Sequence, residues 1–222
     1  MKLVVVTVGF DEKLPLRGVL KVGLDSGDSV MLVYSKTGGE FEVKKVERAV
    51  DVLREIVRST GAGVVEVEVS GTGFYDDVIA VLRSLKKQKA DEVVAVLAGG
   101  MRLVIFEVLF ALLTLYRLGR FQGVMGRVLL MREDGLYDVS LPLESFYATL
   151  PERGLAILKI LCDRGEMRRS QLVEIASREA GLSESAVYKM VRNLSRRGLV
   201  VVESDVVRIT ELGRLIYVGA GE

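Results

Sequence analysis

Between Lys2 and Leu141 short apolar runs alternate with amphipathic ones, and this alternation constrains the fold more than any other feature of the 222-residue sequence. Strands are predicted at Lys2–Val8, Ser29–Tyr34, Val64–Val69, Glu92–Leu97 and Val124–Met131, with a last one near Leu136–Leu141. Helices are predicted at Leu14–Val22, Phe41–Arg58, Phe74–Lys87 and Met101–Arg117. Such repetition builds a mostly parallel sheet with helices on both faces, an α/β Rossmann-like domain. The helical periodicity is plain in Phe41–Arg58, where Val43, Val46, Val50, Leu53 and Val57 form a stripe opposite Lys44, Glu47, Arg48, Asp51 and Arg54. Val78, Val81, Leu82 and Leu85 repeat it in the next helix.

Strand composition predicts the sheet order. Leu3–Val8 and Val93–Leu97 are apolar without alternation, as central strands buried on both faces must be. Val65-Glu66-Val67-Glu68-Val69 alternates, as an edge strand does. The order 3-2-1-4 satisfies both, with the first and fourth strands adjacent. Connections leave that point in opposite directions, and ligands bind at the crevice this opens.

Glycine-rich turns fall at the predicted crevice. Thr7-Val8-Gly9-Phe10-Asp11-Glu12 follows the first strand, and Ala98-Gly99-Gly100-Met101-Arg102 runs from the fourth into a helix. Glycines admit a ligand to the backbone, and the free N–H groups of a helix start attract phosphate. Arg102 adds a planar cation there. Ser35–Gly39 and Ser70–Gly73 fall at the same rim. The same glycines also serve plain turns, so spacing alone leaves a phosphate-bearing ligand and an empty turn both open. Asp11-Glu12 and Asp76-Asp77 open helices, where paired acids complement the dipole; a catalytic pair is the alternative.

Composition closes off whole classes of chemistry. With no histidine and one cysteine, Cys162, the chain lacks zinc sites, histidine-based triads and imidazole acid–base catalysis, and no catalytic residue or metal ligand is assigned. No Gly-x-Gly-x-x-Gly follows the first strand, which argues against a dinucleotide cofactor. No Gly-x-x-x-x-Gly-Lys-Ser/Thr occurs, which excludes an ordinary P-loop NTPase. The longest apolar stretch, Leu103–Leu118, contains Glu107 and Thr114 and is shorter than the ~20 residues of a membrane span. Its helix has almost no polar face, so another element or a second subunit is expected to cover it, the latter in a twofold dimer. Lys2 runs straight into a strand without a signal peptide, and Cys162 has no internal disulfide partner; the expectation is a cytoplasmic protein. Scarce Asn and Gln beside abundant Lys, Arg and Glu suit a thermophile.

Two domains are expected at this length, residues 1–145 and 146–222, linked through Leu141–Tyr147. The second reads as a winged helix-turn-helix. Its first helix is Pro151–Arg164, its second follows Arg168-Arg169-Ser170, and its third is Ser183–Arg197 with Ser183 as N-cap. A hairpin, Leu199–Glu203 and Val206–Thr210, turns at Ser204-Asp205 and is followed by a closing helix, Glu211–Tyr217. On the third helix Val187, Met190, Val191 and Leu194 form the core stripe, while Ser185, Tyr188, Lys189, Arg192 and Arg196 lie opposite. Arg197 adds to the helix's basic charge, and only Glu184 opposes it. Short polar residues near the start and long cations beyond them fit a major-groove reader of duplex DNA. The predicted DNA-binding set is Arg168, Arg169, Ser170, Ser183, Ser185, Tyr188, Lys189, Arg192, Arg196 and Arg208.

Thr7-Val8-Gly9-Phe10 after the first strand and Gly99-Gly100-Met101-Arg102 after the fourth, fused to a C-terminal winged helix, resemble the CARF-domain transcriptional regulators of archaeal CRISPR–Cas loci, of the Csa type. The resemblance implies a homodimer in antiviral defence that binds a cyclic oligoadenylate, the tetra-adenylate, across its twofold axis, and promoter or repeat DNA through its winged helices. It places ligand contacts on Thr7, Gly9, Phe10 and Asp11 and on Gly99, Gly100, Met101 and Arg102. Some CARF domains also cleave their ring. Two other functions are therefore weighed: a ring nuclease, and a constitutive DNA-binding dimer without ligand control.

Overall fold

The computed structural model of the chain describes residues 1–118, 124–132, 134, 136–146 and 150–220. Tyr147 of the predicted link lies outside them. Residues 1–146 and 147–222 form two compact units.

The first unit runs β1 (Lys2–Val8), α1 (Lys13–Val22), β2 (Ser29–Ser35), α2 (Glu40–Ser59), β3 (Gly63–Val69), α3 (Phe74–Leu85), β4 (Glu92–Leu97), α4 (Arg102–Arg117), β5 (Met125–Met131) and β6 (Asp138–Pro142), then a 3-10 turn at Leu143–Phe146. The sheet order is β3-β2-β1-β4-β5-β6, as the strand compositions required for the first four. Val4 of β1 lies between Val30 of β2 and Val94 of β4 in parallel register. β6 alone is antiparallel, because the segment between Met131 and Asp138 is too short for a crossover. Glu66 and Glu68 emerge on β3 at the edge, where Arg54 of α2 grips Glu66 through Nε at 2.6 Å and a second nitrogen at 3.1 Å.

Side-chain alternation sorts the core into two layers. Val4, Val6 and Val8 pack with Val30, Leu32, Val94 and Val96 against Val19 of α1 and the Val46–Val57 stripe of α2. Leu3, Val5 and Thr7 point to the other face, which α3 and α4 cover. Among the described residues no helix is long and apolar enough to cross a membrane.

The second unit runs α5 (Glu152–Arg164), β7 (Met167–Arg168), α6 (Arg169–Ala180), α7 (Glu184–Arg196), β8 (Val200–Glu203), β9 (Val206–Ile209) and α8 (Glu211–Ala220), with a sheet ordered β7-β9-β8. Leu158, Leu161, Leu172, Val187, Val191, Leu194 and Val207 make its core. β7 was not expected: two residues show no periodicity, and only their pairing with Val206 and Val207 defines the strand. Ser183 caps α7, its hydroxyl accepting the Ala186 N–H at 3.4 Å. Arg197 corrects the charge reading. The helix ends at Arg196, so Arg197 leaves the helical period and turns inward, 7% exposed, away from the basic face.

Candidate ligand crevice and nucleic-acid interface

β1 and β4 end side by side at the centre of the sheet, and the loops that follow them touch through peptide backbone. A Cβ on Gly9 would lie 2.4 Å from the Gly100 nitrogen, and Gly100, at φ +96°, would bring its own to 3.0 Å from the Val8 carbonyl. No side chain fits between these loops. Above them opens a cavity of about 780 Å³, lined by Gly9, Phe10, Asp11, Gly99, Gly100, Met101 and Arg102. That is seven of the eight predicted ligand residues. Thr7 stands outside it: fully buried, it faces the α3/α4 layer with Leu3 and Val5, and among the described residues its hydroxyl has no hydrogen-bond partner.

Sequence reasoning missed the two lining cations of α1, Lys13 and Arg17, while Ser35 and Thr37, placed at the rim from the sequence, also line the cavity. Lys13 and Arg17 were findable, because an i, i+4 pair of cations opening the helix after the first crevice loop lies on one face of that helix. The predicted sheet order brings the end of β2, with Ser35 and Thr37, to this rim.

The charge of the lining favours an anion. Lys13, Arg17 and Arg102 supply three cations. Of the two acids, Asp11 accepts the N–H of Lys13, the first residue of α1, at 2.8 Å, and Asp134 pairs with Arg132. α4 begins at the cavity floor with no side-chain cap, so its first N–H groups are available to an oxyanion. Phe10, 53% exposed, offers a flat apolar surface to a base.

The rim is closed by hydrogen bonds. Ser35 Oγ donates to the Ser70 carbonyl at 3.1 Å and lies 2.7 Å from Thr37 Oγ1, in a hydrogen bond that either hydroxyl can donate. Gly71, at φ +68°, lies against Met101: a Cβ there would sit 2.4 Å from Met101 Cε. Asp76 is exposed, as a helix-opening acid is, but Asp77 is buried and binds the rim loop, accepting Ser70 N–H, Ser70 Oγ–H and Gly71 N–H at 2.8 Å each.

α3 and α4 pack together and leave an apolar face outward. Phe106 (62% exposed) and Phe110 of α4 join Tyr75 and Ile79 of α3, and Phe110 meets Phe74 edge-on with ring centroids 5.7 Å apart. Within the chain nothing described covers them.

In the second unit Ser185, Tyr188, Lys189, Arg192 and Arg196 are all exposed along α7. A cavity of about 430 Å³ gathers Tyr188, Arg192 and Arg196 with Arg169 from the start of α6 and Val202 of β8. Arg169 also ties α6 to the hairpin turn: its N–H donates to the Asp205 carbonyl at 2.9 Å and its Nε lies 3.7 Å from the Asp205 carboxylate. Arg168 and Ser170 are exposed beside it. Two further predicted contacts are engaged as well. The Ser183 hydroxyl serves as the cap, and Arg208 lies 3.2 Å from Glu203 and 3.8 Å from Glu166.

The fold and these two sites define a class, a Rossmann-like domain carried in one chain with a winged helix-turn-helix. Residues 2–124 match the Csa3 CRISPR-associated Rossmann-like domain, and residues 151–204 match the IclR helix-turn-helix domain. The chain belongs to the Csa3 family of CRISPR-associated CARF-domain proteins with a winged helix. No curated protein matches its sequence. Among solved structures, Can2 from Sulfobacillus thermosulfidooxidans in complex with cyclic tetra-adenylate is similar, at 10% identity and a TM-score of 0.43, over 99% of this chain and 64% of that one.

Proposed function

We propose that this protein is a homodimeric DNA-binding transcriptional regulator of a CRISPR–Cas locus, controlled by a cyclic oligoadenylate, the tetra-adenylate, held at the crevice. The observation that carries this is the three-cation cavity over the uncapped start of α4, in a chain of a CRISPR-associated family that also presents a basic helix-turn-helix. Phosphodiesters of the ring meet Arg102, Lys13, Arg17 and the α4 N–H groups, while an adenine lies on Phe10. A ring with twofold symmetry presents the same face to two copies of Gly99–Arg102, and the apolar α3/α4 face supplies the contact between protomers. The α7 cations meet phosphates on either side of the major groove, and Ser185 meets base edges.

The ring alters DNA affinity by as much as its own affinity differs between two states of the dimer. We read the protein as a binder and not an enzyme: with no imidazole in the chain, cleavage would depend on positioning the ribose hydroxyl alone. Fluorescence anisotropy on promoter or repeat DNA, with and without cyclic tetra-adenylate, tests the reading. A shift in DNA affinity is expected with the ring recovered intact. Affinity indifferent to the ring would leave a constitutive DNA-binding dimer, and linear products would make it a ring nuclease.

A further inference from the structure

Glu107 is a carboxyl group inside a helix that is otherwise apolar where it is buried, between Val104 and Val108, with no exposed surface at all. Neither of its oxygens receives a hydrogen bond from any donor among the described residues, and the Asp77 carboxyl of α3 lies within reach of it. An ionised carboxylate in such a place costs several kcal/mol, so the group must be neutral or paired with a proton. Two carboxyls in contact behind the crevice cannot both stay charged.

The partners of the two groups decide which one holds the proton. Asp77 accepts three hydrogen bonds, from Ser70 N, Ser70 Oγ and Gly71 N, so its oxygens are already set as acceptors. Glu107 has none. We propose that Glu107 is a positioning residue: it retains a proton in the domain interior and donates it to Asp77, fixing the Ser70–Gly71 turn that packs on Met101 at the edge of the ligand crevice. Burial, with the Asp77 charge adding to it, pushes the Glu107 carboxyl up to about 7.

Glu107 therefore links the helix that bears the apolar face to the loop that closes the crevice. Among the described residues Asp77 is the one titratable group that acts on it. β1 and β2 turn Leu3, Val5, Thr7, Met31, Val33 and Ser35 towards this layer, while Tyr34 packs in the opposite one. Asp76 and Arg83 of α3 and Glu144 of the 3-10 turn are exposed, and Arg102 and Arg117 stand at the two ends of α4. Loss of the proton puts two anions together in a dry site and loosens the Asp77 hold on Ser70 and Gly71. The consequence for nucleotide affinity rests on the proposed function; the proton and the turn do not.

The test is an amide NMR titration of the full-length protein from about pH 5.5 to 8.5, followed at Ser70 and Gly71. In the wild type both resonances are expected to move with one midpoint near 7, and in Glu107→Gln, which keeps a neutral donor, to stay at their low-pH positions. Asp77→Asn is expected to displace both at every pH. Affinity for cyclic tetra-adenylate is expected to weaken about threefold or more across the same range in the wild type and to stay flat in Glu107→Gln. Wild-type amides that do not titrate, or a titration that survives Glu107→Gln, would overturn the proposal; if the variant fails to fold, the wild-type titration alone decides. Amides that titrate in a protein that binds no ring would uphold the positioning role and overturn the nucleotide reading.

Discussion

A Cβ placed on Gly9 would stand 2.4 Å from the backbone nitrogen of Gly100, so the two crevice loops meet with nothing but peptide between them. This contact makes the floor of the cavity from backbone and brings the start of α4 beside the end of β1. Gly9→Ala has to force the loops apart, at an overpacking cost of about 1–3 kcal/mol. The expected outcome is a lowered melting temperature with roughly tenfold or greater loss of affinity for the ring, about 1.4 kcal/mol per factor of ten. Gly23→Ala is the control. Gly23 has φ +73° but open space around it, at the far end of α1, so its variant loses stability from backbone strain alone and keeps its ring affinity.

Arg102, Lys13 and Arg17 are exposed in the lining, so their truncation is expected to leave the melting temperature nearly unchanged. A charge-assisted hydrogen bond contributes about 1.5–3 kcal/mol, which places Arg102→Ala at roughly a ten- to hundredfold loss of ring affinity by calorimetry. Lys13→Ala with Arg17→Ala is expected to weaken binding further and to lower its dependence on salt. Unaltered affinity in all three would remove the cations from the site.

Most of the fold was legible because periodicity reports burial directly. The alternation Val65–Val69 marked β3 as an edge, and the unbroken runs of β1 and β4 marked the centre, which fixed the crevice at Gly9 and Gly100. What stayed hidden depends on contacts distant in sequence. Thr7 belongs to the motif but turns away from the cavity, a matter of strand phase at one residue. Asp77 looked like its neighbour Asp76, and only the approach of Ser70 and Gly71 sets it apart. Arg197 counted as a basic residue of α7 until the helix end turned it inward. Arg208 stood as a free cation until the hairpin set it beside Glu203 and Glu166.

On DNA, Lys189→Ala with Arg192→Ala removes two exposed cations from α7. Each phosphate contact contributes a slope of about 0.9 to the fall of log K with log salt, so the double variant is expected to flatten that slope by about 1–2. Anisotropy at several salt concentrations measures it. An unchanged slope would take α7 off the DNA.

Stability carries the sign of the Glu107 proton. The folded protein holds this proton up to a pH near 7, whereas the unfolded chain releases it near the ordinary 4.5. Between those values the native state binds the extra proton, so stability falls as pH rises through the window and levels off above it. Glu107→Gln has no proton to lose. Denaturant melts over this range are expected to show a gap between variant and wild type that moves in the variant's favour from the acid end to the neutral end. A constant gap would mean that Glu107 does not titrate in the folded protein.

The central claim, a symmetric ring held at the Gly9–Gly100 crevice of a dimer, is tested most directly by calorimetric titration of the intact protein with cyclic tetra-adenylate. Saturable binding near one ring per pair of chains, lost or sharply weakened in Arg102→Ala, is the predicted result. Absence of heat and of competition at ring concentrations well above those of the protein, or binding that Arg102→Ala leaves untouched, would contradict it.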